Sequence, residues 1–382
     1  MRVAVDLVYF TGRKGGTETY ARSLYAAIGR THPNVELVGL LNTEMRHAAT
    51  DWFPGETVTL PVSGENRVAW ALAENTLVPA VAWWARADVL HCPANFGPAL
   101  SRTPVVLTVH DLLGFRFPEL VPNGGARGVQ ILTRTSVRGA RTILTDSEAS
   151  AADLRAHLPM PPDRVEVVPL AATAQPGVAA GRGDTGGRPF LLSNGNRLPH
   201  KNFETLLRAL AALPTAIRPR LVVPGSHGDD PLAPLVTNLG LRDDVELLGW
   251  VDEDKLDALY RDAAAYVLPS RFEGFGLPVL EAMTRGCPVV CSDIPVLREV
   301  GGNAALYADT RDSDALAAVI HRVLADSSLR ERLRAAGLEQ AGRFSWEQVA
   351  DSTVAVLTRA AGERRRSRNP RNARSSLQRP AE

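Results

Sequence analysis

Arg271 to Glu281 reads RFEGFGLPVLE and follows an apolar run that ends at Leu268. Pro278 has a fixed φ and no N–H, so it fits the first turn of a helix, where that donor has no partner. The stretch therefore predicts strand, loop and helix in succession. Gly274 and Gly276 let the backbone approach a ligand closely, and the free N–H groups of a helix start face an anion such as a diphosphate. Glu273 falls on the loop and Glu281 about one turn into the helix, so two carboxylates bracket the loop from different depths. A carboxylate beside a diphosphate is favourable where it accepts hydrogen bonds from hydroxyls, which makes sugar or ribose hydroxyls its natural partners. Acids near a helix N-terminus are also what the helix dipole favours, so the spacing alone leaves both readings open.

The apolar run before this loop belongs to a series. Phe190 to Leu192, Leu221 to Val223, Val245 to Leu248, Tyr266 to Leu268, Val289 to Cys291 and Ala305 to Tyr307 read as short strands. Helical patterns separate them, for example Phe203 to Leu213 and Leu256 to Ala263. An earlier series comprises Val3 to Val5, Val35 to Leu41, Val89 to His91, Val105 to His110, Thr142 to Thr145 and Val165 to Val168. Strands alternating with helices predict an α/β chain with parallel, doubly wound sheets, and two such series in 382 residues predict two domains. Ala171 to Arg188, rich in Ala and Gly, parts them. The expected division is a first domain at 1–171, a linker at 172–188, a second domain at 189–345, a C-terminal helix at 346–361 and a disordered basic tail at 362–382.

Bulk composition narrows the function classes. With 45% hydrophobic and 22% charged residues the chain has the make-up of a globular enzyme. Its 43 Lys and Arg nearly balance 42 Asp and Glu, so no global field recruits nucleic acid. Cys92, Cys287 and Cys291 form no CxxC pair, which suits a reducing cytosol and argues against a disulfide framework. The apolar start MRVAVDLVYF is interrupted by Gly12, Gly15 and Gly16, and no run reaches the roughly 18 residues of a spanning helix. The expectation is a cytoplasmic protein whose membrane contact, if any, is peripheral. Arg364, Arg365, Arg366 and Arg368 could meet acidic lipid, although a solvated tail is the simpler reading.

Other strand ends carry candidate chemistry. Ser193 to Asn202, SNGNRLPHKN, places Arg197, His200 and Lys201 on a strand-to-helix loop. A guanidinium and an ammonium there can neutralise a departing diphosphate without a metal, while a solvated basic loop is the plain alternative. Gly15 and Gly16 precede a helix predicted over Tyr20 to Ile28. The strand Val105 to Val109 ends in His110 and Asp111, at the carboxyl edge where α/β proteins bind ligands. Asp111 reads as a cap for the following loop, and Ser147 in LTDSEA as a helix N-cap. Gly249, Trp250 and Val251 lead into a helix at Asp254 to Tyr260.

Two glutamates with seven residues between them and a Gly-Phe-Gly-Leu-Pro filling closely resemble the motif of the retaining glycosyltransferases of family 4. That resemblance implies the GT-B fold: two Rossmann-like domains facing each other across a cleft, with a C-terminal helix crossing back to the first. It implies that Glu273 contacts the donor sugar, that Glu281 binds the ribose, and that the amides of Phe275, Gly276 and Leu277 meet phosphate. Lys201 stands where the family lysine falls in a Pro-x-Lys-Asn ending. Arg197 stands for an arginine that relatives often carry one place earlier, where this chain has Asn196. Gly16 matches the glycine turn of the first domain, His110 a histidine that contacts the transferred sugar, and Val251 a position that holds the base edge through backbone groups. A neutral imidazole at His110 could hydrogen-bond a sugar hydroxyl or stabilise charge near the anomeric carbon, while a structural histidine capping the strand is the plain alternative.

The implied reaction moves a hexosyl group, such as mannose, rhamnose or glucose, from a nucleoside-diphosphate sugar to a hydroxyl of a glycan, glycolipid or small molecule. Anomeric configuration is retained, in the service of polysaccharide, glycolipid or glycoconjugate synthesis. No Asp-x-Asp motif of the kind that holds a metal in the other common transferase fold is found, so no metal or other cofactor is expected. A nucleotide-sugar 2-epimerase of the same architecture is the alternative. A dinucleotide-dependent oxidoreductase is disfavoured, because no GxGxxG follows Val5. A non-catalytic binding module would leave the acids without a task.

Overall fold

Short runs of Val, Ile and Leu bounded by Gly, Pro and polar residues become strands that are buried on both faces, which is the pattern of parallel sheets covered by helices. A computed structural model describes residues 1–12, 15–47, 51–121, 125–173, 188–226 and 228–368, without the side chains of 363–368. The chain divides into two compact units, Met1–Leu170 with the chain from Trp346 onward, and Ala171–Ser345.

In the first unit the described strands are β1 (Arg2–Leu7), β2 (Glu36–Leu41), β3 (Glu56–Thr59), β4 (Val89–Cys92), β5 (Val105–Thr108), β6 (Thr142–Thr145) and β7 (Val165–Val167). They form one parallel sheet in the order β3-β2-β1-β4-β5-β6-β7, a doubly wound topology that reverses at β1 and β4. Leu90, Leu107 and Ile143 from neighbouring strands pack with Val78, Ala82, Val137 and Leu154 from covering helices. β3 was not predicted. All four of its residues are exposed at the sheet edge, so no apolar pattern marks it.

The second unit has β8 (Phe190–Leu192), β9 (Arg220–Ser226), β10 (Val245–Gly249), β11 (Ala265–Leu268), β12 (Val289–Ser292) and β13 (Ala305–Ala308), parallel in the order β10-β9-β8-β11-β12-β13. Each lies where the apolar runs placed it. The predicted helices appear as Phe203–Ala212 and Glu253–Asp262. Leu206, Leu207 and Leu210 of the former bury against Leu191, Leu221 and Val267 of the sheet.

Two expectations need adjustment. The first helix runs Gly16–Thr31, starting four residues before Tyr20. The last helix runs Trp346–Arg368, so 362–368 of the expected disordered tail are helical. Arg and Glu are good helix formers, and the run of arginines marks solvation without breaking the helix. Residues 174–187 of the expected linker and 369–382 of the tail lie outside the described residues. The last helix packs against Gly16–Thr31, β4 and β5 through Trp346, Val349, Ala350 and Leu357. All three cysteines are buried and free, and burial pushes the Cys287 thiol up to about 12.

Candidate active site

The second unit brings two sequence motifs together through an asparagine. Asn202 adopts the left-handed conformation (φ 58°) between the short turn Pro199–Lys201 and the helix Phe203–Ala212. Its buried amide donates to the carbonyls of Pro269 (3.1 Å) and Thr310 (2.8 Å), and the N–H of Arg271 donates to His200 O (2.7 Å). The Lys201 loop is thereby fixed beside the loop after β11. Lys201 Nζ then lies 2.8 and 2.9 Å from the two carboxylate oxygens of Glu273. A lysine has three N–H donors, so one remains for a ligand even while Glu273 holds the other two.

The helix Leu277–Thr284 begins immediately after this pair, with Gly276 as its N-cap and Pro278 in its first turn. Gly276 is required twice over. Its φ is +98°, and a Cβ would sit 2.5 Å from Leu297 Cδ2. Among the described residues no acceptor is paired with the N–H of Phe275, Gly276 or Leu277, which leaves an anion-binding set at a helix start. Phe275 is buried edge-on against Phe344, their ring centres 6.0 Å apart, and this contact sets the loop's floor.

One turn into that helix, half-buried Glu281 accepts a hydrogen bond from Tyr260 Oη at 3.1 Å. Burial raises its pKa above the ordinary carboxylate value, an effect that the Arg285 charge and the Tyr260 hydrogen bond only partly offset. Tyr260 Oη accepts from Asn194 Nδ2 (2.9 Å), and Tyr266 Oη donates to Asn194 Oδ1 (2.7 Å). Val251 is half-buried in the turn after β10, just before Asp252 caps the helix Glu253–Asp262 by accepting from Lys255 N.

In the first unit His110 follows the carboxyl end of β5. Its Nδ1 lies 2.7 Å from Asp146 Oδ2 and its Nε2 lies 3.0 Å from Pro93 O. A carbonyl and a carboxylate are both acceptors, so both ring nitrogens must carry protons. Burial works against that charge, but the Asp146 carboxylate and the two hydrogen bonds outweigh it, and the pKa of His110 is raised. With acceptors facing both nitrogens, this setting favours the imidazolium over the neutral imidazole considered from the sequence. His91 on the adjacent strand is the converse case. Burial, helped by the His110 charge, lowers its pKa to about 3, and it pairs with the hydroxyls of Tyr25 (2.8 Å) and Thr108 (3.0 Å).

Gly16 opens the first helix directly after Gly15, and a Cβ at Gly16 would meet nothing within 4 Å. The space beside it is open. Glu18 reaches back to accept from Thr11 N (2.7 Å) and Gly12 N (2.9 Å), which ties the end of the β1 loop to the helix start.

Comparison with known proteins sets this geometry in context. Residues 14–173 match the family described as Glycosyltransferase Family 4, and residues 181–340 the family described as Glycosyl transferases group 1. Over 301 residues the chain is 37% identical to the O-antigen chain mannosyltransferase B of Escherichia coli, covering 75% of this chain and 76% of that protein. The chain belongs to the family 4 glycosyltransferases. This glycosyltransferase shares its fold with sucrose-phosphate synthase from Thermosynechococcus elongatus, at TM-score 0.75 and 20% identity, covering 94% of this chain and 98% of that one. It also matches HepE of Anabaena, solved with UDP and glucose, at TM-score 0.70 and 19% identity, covering 94% and 99%. The two parallel-sheet units are thus those of a GT-B α/β fold.

Within the glycosyltransferase, one expected site residue has a different role. Arg197 is buried, its side chain 6% exposed against 8% for Asp230. Its Nε and Nη2 hold the Asp230 carboxylate at 2.8–3.3 Å, and its Nη atoms also donate to the carbonyls of Gly195, Val223 and Pro224. A guanidinium has five N–H donors, and here they are all committed to the protein. Arg197 therefore braces the loop after β8 and has no donor left for a diphosphate. Sequence reasoning also passed over four residues that build the site: Asn202, Asn194, Tyr260 and Asp146. Asn202 stood in the quoted Pro-x-Lys-Asn ending and Asp146 in LTDSEA, but only the fold supplies their partners.

Proposed function

We propose that this glycosyltransferase moves a hexosyl group, mannose before rhamnose or glucose, from a nucleoside-diphosphate sugar to an acceptor hydroxyl with retention of configuration. The observation that supports this most is the Lys201–Glu273 pair lying next to unpaired N–H groups at a helix start. The diphosphate is received by the N–H groups of Phe275, Gly276 and Leu277 and by Lys201, whose departure from Glu273 frees that carboxylate to accept from sugar hydroxyls. Glu281 faces the ribose, Val251 the base edge, and Gly16 brings its backbone to the donor phosphate or acceptor. His110 contributes fixed positive charge toward the transferred sugar.

The anomeric carbon's bond to the β-phosphate oxygen breaks, its bond to the acceptor oxygen forms, and the acceptor proton passes to a β-phosphate oxygen. Nucleoside diphosphate leaves. Lys201 and the helix start supply the charge that a metal would otherwise provide, so the reaction runs without one. Mannose is placed first because the Escherichia coli relative is named a mannosyltransferase, and a role in polysaccharide or glycolipid synthesis follows from the same name. The epimerase alternative draws no support from these relatives.

The test is to incubate the protein with GDP-mannose, UDP-glucose or dTDP-rhamnose, with and without glycan acceptors and with EDTA present. Nucleoside diphosphate released only when an acceptor is added, with the product linkage retained, is the expected result. Conversion of the donor to its 2-epimer without acceptor would sink the proposal.

We also propose a cytoplasmic setting with peripheral membrane contact. Among the described residues no helix is long and apolar enough to cross a membrane. Trp84 and Leu100 are 70% and 85% exposed, and the Arg102 guanidinium lies 5.4 Å over the Trp83 ring. Aromatic, aliphatic and cationic groups in one neighbourhood suit an anionic lipid interface. Co-sedimentation with phosphatidylglycerol vesicles, lost on Trp84→Ala with Leu100→Asn, checks this.

A further inference from the structure

We infer that Tyr260, Asn194 and Tyr266 are positioning residues for Glu281: together they fix which carboxylate oxygen is spent inside the protein and which is presented to a nucleoside. The inference rests on the reading of Glu281 as the ribose-facing acid.

The hydrogen bonds run in one direction. Tyr266 Oη donates to Asn194 Oδ1 (2.7 Å), Asn194 Nδ2 donates to Tyr260 Oη (2.9 Å), and Tyr260 Oη donates to Glu281 Oε2 (3.1 Å). With Glu281 ionised no other arrangement satisfies all three contacts. If the Asn194 amide were turned over, its oxygen and Glu281 would both need the single proton of Tyr260. Tyr266 fits the orientation so chosen, because its hydroxyl gives its proton to the amide oxygen. Oε2 is thereby engaged, while Oε1 has no partner among the described residues. The carboxylate can meet a vicinal diol with one oxygen unpartnered and the other held by Tyr260.

The supports are themselves rigid. Tyr260 and Tyr266 are fully buried with ring centres 5.3 Å apart. On the other side the Arg285 guanidinium lies 5.2 Å over the Tyr260 ring, anchored by Asp257 (2.6 Å) and by the Glu281 carbonyl (3.0 Å). Burying two tyrosine hydroxyls around a half-buried asparagine to hold one acid is costly unless that acid must be aimed, since each unpaired group would lose its hydration. The amide comes from the loop after β8 and the tyrosines from the helix Glu253–Asp262 and β11, so the arrangement ties three elements to a fourth, Leu277–Thr284.

The discriminating measurement is calorimetric binding of GDP and UDP, and of their 2′,3′-dideoxy forms, to the full chain. The wild type is expected to bind one ribonucleotide at least tenfold more tightly than its dideoxy form. Tyr260→Phe keeps the ring and removes the hydroxyl; it should weaken the ribonucleotide about five- to tenfold and leave the dideoxy form unchanged. Tyr266→Phe leaves both groups nearest Glu281 in place but takes the donor from the Asn194 amide oxygen, so the amide is held less firmly, and it should give a smaller loss of the same sign. If Tyr260→Phe retained the full ribose preference, or weakened both nucleotides equally, the positioning role would be overturned while the reading of Glu281 stood. A wild type that bound ribo and dideoxy forms alike would overturn the reading of Glu281, and the positioning role with it.

Discussion

Lys201 and Glu273 stand 72 positions apart in sequence, yet the lysine's ammonium grips both oxygens of the glutamate, with only 14% and 10% of the two side chains exposed. Each is therefore the other's counter-ion, and in the proposed reaction each must exchange that partner for part of the donor.

A double-mutant cycle measures this relationship directly. Breaking a shielded ion pair strands the remaining charge, so Lys201→Ala and Glu273→Gln should couple in stability by about 1–3 kcal/mol. In kinetics Glu273→Gln should lower kcat about a hundredfold or more, and Lys201→Ala should act mainly on the donor KM. Additive unfolding energies from denaturant titration would contradict the pairing, and near-normal turnover of Glu273→Gln would remove the sugar contact.

His110 gives a pH signature. Its pKa is raised in the fold, so the stabilisation of its ion pair with Asp146 is complete below the ordinary imidazole value of about 6.5 and is lost as pH rises through the raised value. Asp146→Asn should move the alkaline fall in turnover to lower pH, and its stability deficit should shrink at high pH. Rate profiles of the two proteins that superimpose would return His110 to a merely structural part.

Arg197 makes the opposite prediction from Lys201. Arg197→Ala leaves the Asp230 carboxylate buried and unpaired, at a cost of about 3–5 kcal/mol. Arg197→Lys should recover little, because an ammonium cannot span Asp230 and three carbonyls at once. The check is thermal melting beside donor kinetics. A variant that melted normally and lost turnover would restore the leaving-group role expected from the sequence.

Glu281→Gln should trade binding for stability. Because burial raises the Glu281 pKa, this group's contribution to stability is greatest below the ordinary carboxylate value and is lost as pH rises through the raised one. A glutamine still accepts from Tyr260 and carries no charge to bury. The variant's melting temperature should thus exceed the wild type's near pH 8, with the gap closing toward pH 4.5, while its nucleotide binding weakens. A gap independent of pH would rule out this account.

Twelve of the thirteen described strands were legible as apolar runs, because strands covered on both faces need no alternation to be seen. β3 escaped notice because its exposed residues carry no such run. In the candidate site, the glycine and proline pattern around Glu273 disclosed the helix start, since backbone conformation is written locally. Partner choice is not. A basic residue on a glycine-rich loop looks equally ready for phosphate or for an acid, and only the position of Asp230 decides for Arg197. Likewise His110 reads as an imidazole until Asp146 and Pro93 face it from other loops.

The helix Trp346–Arg368 completes the sheet unit begun by the first residues, although the whole second unit lies between them in the chain. On the ribosome the face of the Gly16–Thr31 helix destined for Trp346, Val349 and Leu357 must wait uncovered while the rest of its own unit and then all of Ala171–Ser345 are made. The unit translated first is thus the last to finish folding. A premature stop before Trp346 would leave the later-made unit intact and the earlier one open, so truncation damage should appear at the end of the molecule farthest from the lesion in sequence.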